Sequence, residues 1–364
     1  MNIVRAILGH HHHDSDHHPT NDSHKQSRSS TKLLRLQSFG TNNTDGLYIA
    51  NGISTDTIPY PTRMVVLSVP SSLKHTNRHN NNKQQQPDLI LWNPIALDDT
   101  LQQDLQCLGN HVTTLIVPTT TSHPTLQHHH LLHDWQQAYP NATLYLSPAV
   151  AKNTKLVQAL QKSSSSSSLL IQVLQPTQNQ LLLPYEEVLD HIVLCHGEVV
   201  VVHKPTQTVM IADFIQRISP QYETDKQEND NDDEEEEDVD EPLIKPLTGW
   251  QVWWLKLNGV VGPTGGTPIH LQWWYWMTGH GHQGRQHVNY ILYEWQPQQL
   301  ILAHGECMKR NNDKDAVITS LTKSFQWLPT NPPPEGTKCG CIPPLFSNRP
   351  QEGLLVAPES TPKS

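Results

Sequence analysis

EVVVVHKPTQTVMIAD, residues 198–213, carries two apolar runs rich in β-branched residues, separated by Lys204-Pro205-Thr206-Gln207. Proline fixes its own φ and cannot donate to a ladder, so it belongs in the turn and not in either arm. The near-continuous valines of the first arm suit a strand covered on both faces. The stretch therefore predicts a tight antiparallel hairpin inside a buried sheet, with Asp213 delivered to the end of its second strand. A carboxylate in that place either caps the turn that follows or belongs to a site.

Outward from the hairpin, further β-rich runs are Met64–Val69, Leu89–Trp92, Val112–Val117, Ala142–Leu146, Leu169–Leu174, Ile192–Leu194 and Leu300–Ala303. Helical spacing lies between some of them. Leu101, Leu105 and Leu108 mark one face over 97–108, which Gly109 stops. Leu131, Trp135 and Tyr139 mark a helix over 125–139, entered at Pro124, and Val317, Leu321 and Trp327 mark a third over 313–328. Hairpins mixed with strand–helix units predict a mixed sheet with helices outside it.

Two more strands end as the hairpin does. Val112–Val117 runs through Pro118-Thr119-Thr120-Thr121-Ser122 to His123, and Leu300–Ala303 runs into His304-Gly305-Glu306, where glycine frees the backbone. Loops at the carboxyl ends of strands can converge on a site. His123, Asp213 and His304 are ligand types for Zn, Mn or Fe. The structural alternative is that Ser122 caps a helix beside an idle His123, while His304 satisfies a backbone group in a corner.

Much of the 364-residue chain is not core material. Residues 10–31, 75–87, the serine run 163–168 and the acidic run 223–241 lack apolar periodicity. The acidic run holds thirteen carboxylates and one lysine, net −12 within a chain of −10, which leaves +2 for everything else. It reads as a disordered insertion, or else as a docking segment for a basic partner. No basic patch points to nucleic acid. Three divisions follow: a low-complexity tail over 1–60, one domain over 61–330 with insertions near 75–87, 163–168 and 221–243, and a proline-rich tail over 331–364.

Five scattered cysteines, with no C-x-x-C pair, suit a reducing compartment. With no convincing signal peptide and no apolar run of about 18 residues, the expectation is a cytoplasmic protein. Six of the ten tryptophans crowd into 250–276 around the glycine-rich break 259–268. Two readings stand: a helix pair packed over the sheet by large side chains, or a hairpin at a membrane interface. His280-Gly281-His282 reads as a turn, and the histidine runs at 10–13, 17–18 and 128–130 as adventitious metal binders.

The segments NPIALDDTLQQDLQCLGNHVTTLIVPTTTSHP, WQQAYPNATLYLSP, EVVVVHKPTQTVMIAD and LILAHGE, in that order, resemble the metallo-β-lactamase fold. They resemble its DUF4336 branch more closely, and the resemblance covers about 64–328. It implies an α/β architecture, an αββα four-layer sandwich, with metals held at one edge by an H-x-H-x-D-H loop, a middle histidine, a bridging aspartate and a last histidine. Carried over, Asp213 takes the bridging aspartate's place and His304 the last histidine's. Thr119 and Thr121 stand where the loop's first two histidines should be, His123 stands at its aspartate, and Pro124 replaces its last histidine. The middle histidine falls near Ile192 or Val193, where His191 or His196 serves only if the strand register shifts.

The resemblance thus implies a degenerate site with metal ligands His123, Asp213 and His304 and with Asp213 as the catalytic base. The expected function is a diverged metal-dependent hydrolase with one Zn, Mn or Fe ion at most. The alternative is a catalytically inert binding or scaffolding module, without metal, whose small-molecule or protein partner the sequence does not name.

Overall fold

The computed structural model describes residues 36–39, 46–53, 61–70, 86–109, 111–119, 129–163, 170–175, 185–218, 249–262, 265–309 and 315–330. The expected tail from 331, the acidic insertion, the serine run past Ser163 and nearly all of 75–87 lie outside them.

Among the described residues, eleven strands form two sheets. The first runs in chain order: β1 (Gln37–Ser38), β2 (Leu47–Ile53), β3 (Pro61–Val69), β4 (Asp88–Trp92), β5 (Val112–Val117), β6 (Thr143–Leu146) and β7 (Ile171–Val173). Its first four strands are antiparallel and β4 to β7 are parallel. The second holds β8 (Leu189–Val193), β9 (Val199–His203), β10 (Thr208–Ile211) and β11 (Gln299–Leu302), in the order β11-β10-β9-β8. Here β10 pairs antiparallel with β9 and parallel with β11.

The period of two along each strand sorts side chains into separate cores. Val65, Leu67, Ile90, Trp92 and Ile116 of the first sheet meet Val199, Val201, Met210 and Ile301 of the second. The alternate residues Met64, Val66, Leu89, Leu91 and Leu115 turn outward onto helices. These are α1 (Asp99–Leu108), α2 (His129–Ala138), the short α3 (Pro148–Ala151) and α4 (Thr154–Ser163). Val200, Val202, Val209, Ile211 and Leu302 turn the other way, against Tyr275, Val288, Ile291, Leu321 and Phe325. Those side chains come from α6 (Ile269–Thr278), from α7 (Gly281–Asn289) with its wider-wound continuation Tyr290–Trp295, and from α8 (Ala316–Ser324) with the turn after it; α5 (Gly249–Leu257) precedes them. Two sheets face to face with helices outside both make the expected αββα sandwich.

The helix ends obey their capping residues. Asp98 accepts from the Leu101 N–H at 2.7 Å, and Gly109 closes α1 at φ 144°. The expected hairpin is present, its turn being a 3₁₀ segment, Lys204–Thr206, followed by left-handed Gln207.

Three expectations need correction. The tail expected over 1–60 supplies β1 and β2, and seven residue pairs with β3 hold β2 in the ladder. A second tight hairpin joins β8 to β9, so β8 begins at Leu189, earlier than the apolar run suggests. Residues 281–289 are helical, not a turn. Gly284 lets α7 approach α6, since a Cβ there would sit 2.7 Å from the Tyr275 ring.

His203 closes β9 with its ring buried and 2.7 Å from the Thr206 hydroxyl. Burial drives its pKa down to about 4. Its native form is neutral, so the unfolded chain binds the extra proton, and the stability it contributes is present above about pH 6.5 and lost as pH falls toward 4. We expect His203→Gln to flatten the acid limb of the melting-temperature profile in that window, by an amount worth up to about 3 kcal/mol. An unchanged acid limb would exclude His203 as its source.

Candidate functional site

Three strands of two different sheets end together. Thr119, two residues past β5, donates its hydroxyl to Asp213 Oδ2 at 2.7 Å. Asp213 Oδ1 lies 3.4 Å from His304 Nε2, and these two side chains are 2 % and 0 % exposed. The seam is sewn by backbone as well: Val199 N–H donates to Pro118 C=O at 2.9 Å, which binds the start of β9 to the end of β5.

Glu198 holds the aspartate from behind. Its Oε1 accepts the N–H groups of Ala212 at 2.8 Å and Asp213 at 3.1 Å, two donors just past the last ladder pair of β10. Its Oε2 meets His196 Nε2 at 3.0 Å, and His196 Nδ1 meets the Tyr275 hydroxyl at 3.1 Å. The Glu198 carboxyl is fully buried, which raises its pKa above the ordinary carboxylate value, while the His196 contact works against the rise. Burial likewise lifts the Tyr275 phenol well above its usual range.

His304 owes its place to two devices. Gly305 follows it at φ 101°, and a Cβ there would fall 1.9 Å from the Arg217 carbonyl oxygen. No other residue fits. Arg63 of β3 reaches across from the first sheet, donating from Nη1 to the carbonyls of both Leu302 and Gly305 at 2.7 Å, while its Nε donates to Asn51 at 2.8 Å. A guanidinium thus clamps the corner on either side of His304.

The structure brings Thr119, Asp213 and His304 together. His123 and Thr121, the other expected members, lie outside the described residues. Ile192 and Val193 fall within β8, while His196, three residues further, reaches the cluster through Glu198. His191 is buried in β8, and burial holds its pKa down. His270, one residue into α6, was given no role by the sequence. It is exposed, yet enough protein surrounds its ring to lower its pKa, with Asp213 opposing the shift and His196 adding to it. Glu198, Tyr275 and Arg63 were missed as well. Only Glu198 left a signal, a carboxylate opening a strand of four valines.

Among the described residues, no group of three or more His, Cys, Asp or Glu is arranged to hold a metal ion. Asp213 and His304 do fit one edge of an ion's shell, since ligands about 2.0 Å from one tetrahedral ion stand about 3.3 Å apart.

No family model matches the chain, and no curated protein matches its sequence. In structure it is similar to the metal-soaked Flv1 flavodiiron core from Synechocystis, with a TM-score of 0.47, 14% identity and coverage of 81% of this chain and 61% of that one. It is similar also to rubredoxin oxygen:oxidoreductase from Desulfovibrio gigas, with a TM-score of 0.45, 10% identity and coverage of 80% and 62%. A metallo-β-lactamase, FIM-1 from Pseudomonas aeruginosa in its mono-zinc form, gives a TM-score of 0.39 and 10% identity over 80% and 97%. The chain therefore spans about three fifths of the first two proteins, and scores this low transfer no site.

Removing the Glu198 acceptor would strand two buried N–H groups, at about 1–3 kcal/mol each. We expect Glu198→Ala to lose several kcal/mol in urea unfolding, and Glu198→Gln, which keeps one carbonyl oxygen, to lose much less. Equal losses would show that the carboxylate does not hold the end of β10.

Proposed function

We propose that this protein is a diverged metallo-β-lactamase-like hydrolase of the DUF4336 branch, reduced to a single-ion site formed by His123, Asp213 and His304. The observation that supports this reading is the 3.4 Å approach of Asp213 to His304 at the ends of adjacent parallel strands. An ion of Zn, Mn or Fe held there would acidify water and polarise the scissile group. The chain's own part is to aim Asp213: Thr119 occupies Oδ2, Glu198 anchors the backbone, and Oδ1 is left facing His304 to orient water and take its proton. With threonines at 119 and 121, a second ion has too few ligands, so the two-metal clamp on attacking and leaving oxygens is lost.

One observation favours a second reading, an inert binding or scaffolding module. Asp213 and His304 are almost sealed from solvent, 2 % and 0 % exposed. A centre closed to that degree serves cohesion as well as it serves catalysis.

Two measurements test the pair of readings. In protein purified without nickel resin and lacking residues 1–31, elemental analysis should give at most one ion per chain, and Asp213→Ala should abolish it. An Asp213→Ala protein that kept its metal would remove Asp213 from the ligands. On a panel of esters, thioesters, lactams and phosphodiesters we expect weak turnover at most. Robust turnover lost in His304→Ala would rule out the inert module, and a metal-free protein without turnover would rule out the hydrolase.

A further inference from the structure

We infer that the outer face of the α5–α6 pair seats this protein on a neutral, choline-headgroup lipid surface. Helix α5 buries Val252 and Leu255 and turns outward Trp250, Trp253, Trp254 and Leu257, a stripe at helical spacing that is 41 to 62% exposed. Helix α6 buries Leu271 and Tyr275 and turns outward Ile269, Trp273, Trp276 and Met277, at 49 to 76%. The second helix starts where the first ends, with Ile269 N–H donating to the Asn258 carbonyl at 3.2 Å. The five indoles alone present on the order of 600 Å², as much as the largest apolar patch of an ordinary monomer.

Charge selects the occupant. From Gly249 to Gly279 the only Lys, Arg, Asp or Glu is Lys256, so nothing here recognises an acidic surface. The run 223–241, net −12, ends shortly before Gly249. The chain's net charge of −10 works against both an anionic leaflet and a second copy of itself. A zwitterionic surface turns its positive choline ends outward. Indole faces attract quaternary ammonium, and indole N–H groups donate to the phosphate and carbonyl oxygens beneath. Helices of nine and ten residues are too short to cross a bilayer, and among the described residues no helix is long and apolar enough to do so. The pair would therefore lie in the headgroup plane.

The test is flotation of the full chain with phosphatidylcholine vesicles, alongside the variant Trp253→Ser/Trp273→Ser/Trp276→Ser. We expect the wild type to float and the variant to bind at least about tenfold more weakly at an unchanged melting temperature. Replacing part of the lipid by phosphatidylserine should weaken binding. In the wild type, brominated phosphatidylcholine should quench tryptophan fluorescence, a readout that needs no variant. The proposal is overturned if the wild type stays at the bottom of the gradient, if the bromine quenches nothing, or if phosphatidylserine strengthens binding. A lipid-free dimer that the substitutions dissolve would assign the face to a second copy instead.

Discussion

A carboxylate buried at the seam between two sheets is tolerable only while both of its oxygens are engaged. Asp213 meets that condition through one group from each of two directions: a hydroxyl delivered by β5 of the first sheet, and an imidazole delivered by β11 of its own. Neither partner lies near it in sequence, so the contact exists only when the sandwich has closed in register. The supporting parts follow from that demand. Glu198 absorbs the N–H groups that β10 leaves over as it ends. Arg63 ties the first sheet to the corner that carries His304, and Gly305 supplies a backbone shape that no side chain would permit.

Helix α6 serves two surfaces at once. On its inner side Tyr275 is hydrogen-bonded to His196 and packs near Phe214, with ring centroids 5.6 Å apart. Its outer side is the tryptophan face, and His270 at its start feels the charge of Asp213. Trp274 stands between the two surfaces, edge-on to His196 at 6.2 Å.

Where sequence reasoning succeeded, the physics was local. The valine runs around Lys204-Pro205-Thr206-Gln207 specify a hairpin because no other backbone buries them and turns at a proline. The strand end at His304 is legible because a glycine after a buried apolar run announces a special φ, here 101°. Where it failed, a local signal was outweighed by pairing. Leu47–Ile53 falls in the stretch expected to be a low-complexity tail, yet the ladder with β3 makes it a strand. His280-Gly281-His282 has the chemistry of a loop, but glycine at 284 is there for close helix packing and not for a bend.

The sequence by itself determined the alternation of buried strands and helices, the two-faced burial of the second sheet, and the delivery of Asp213 and His304 to strand ends. Each of these rests on periodicity and turn chemistry within a dozen residues. Tertiary structure alone decided that Glu198 and Arg63 belong to the same centre, because their partners lie at 212–213 and 302–305, on other strands. It decided also which way the tryptophans face. Helices α5 and α6 are apolar on nearly every side, so their own spacing cannot say which stripe meets the core. The answer came from shape: Val252, Leu255, Leu271 and Tyr275 fit against the fold with Trp274 partly buried beside them, and the other five indoles were left outside.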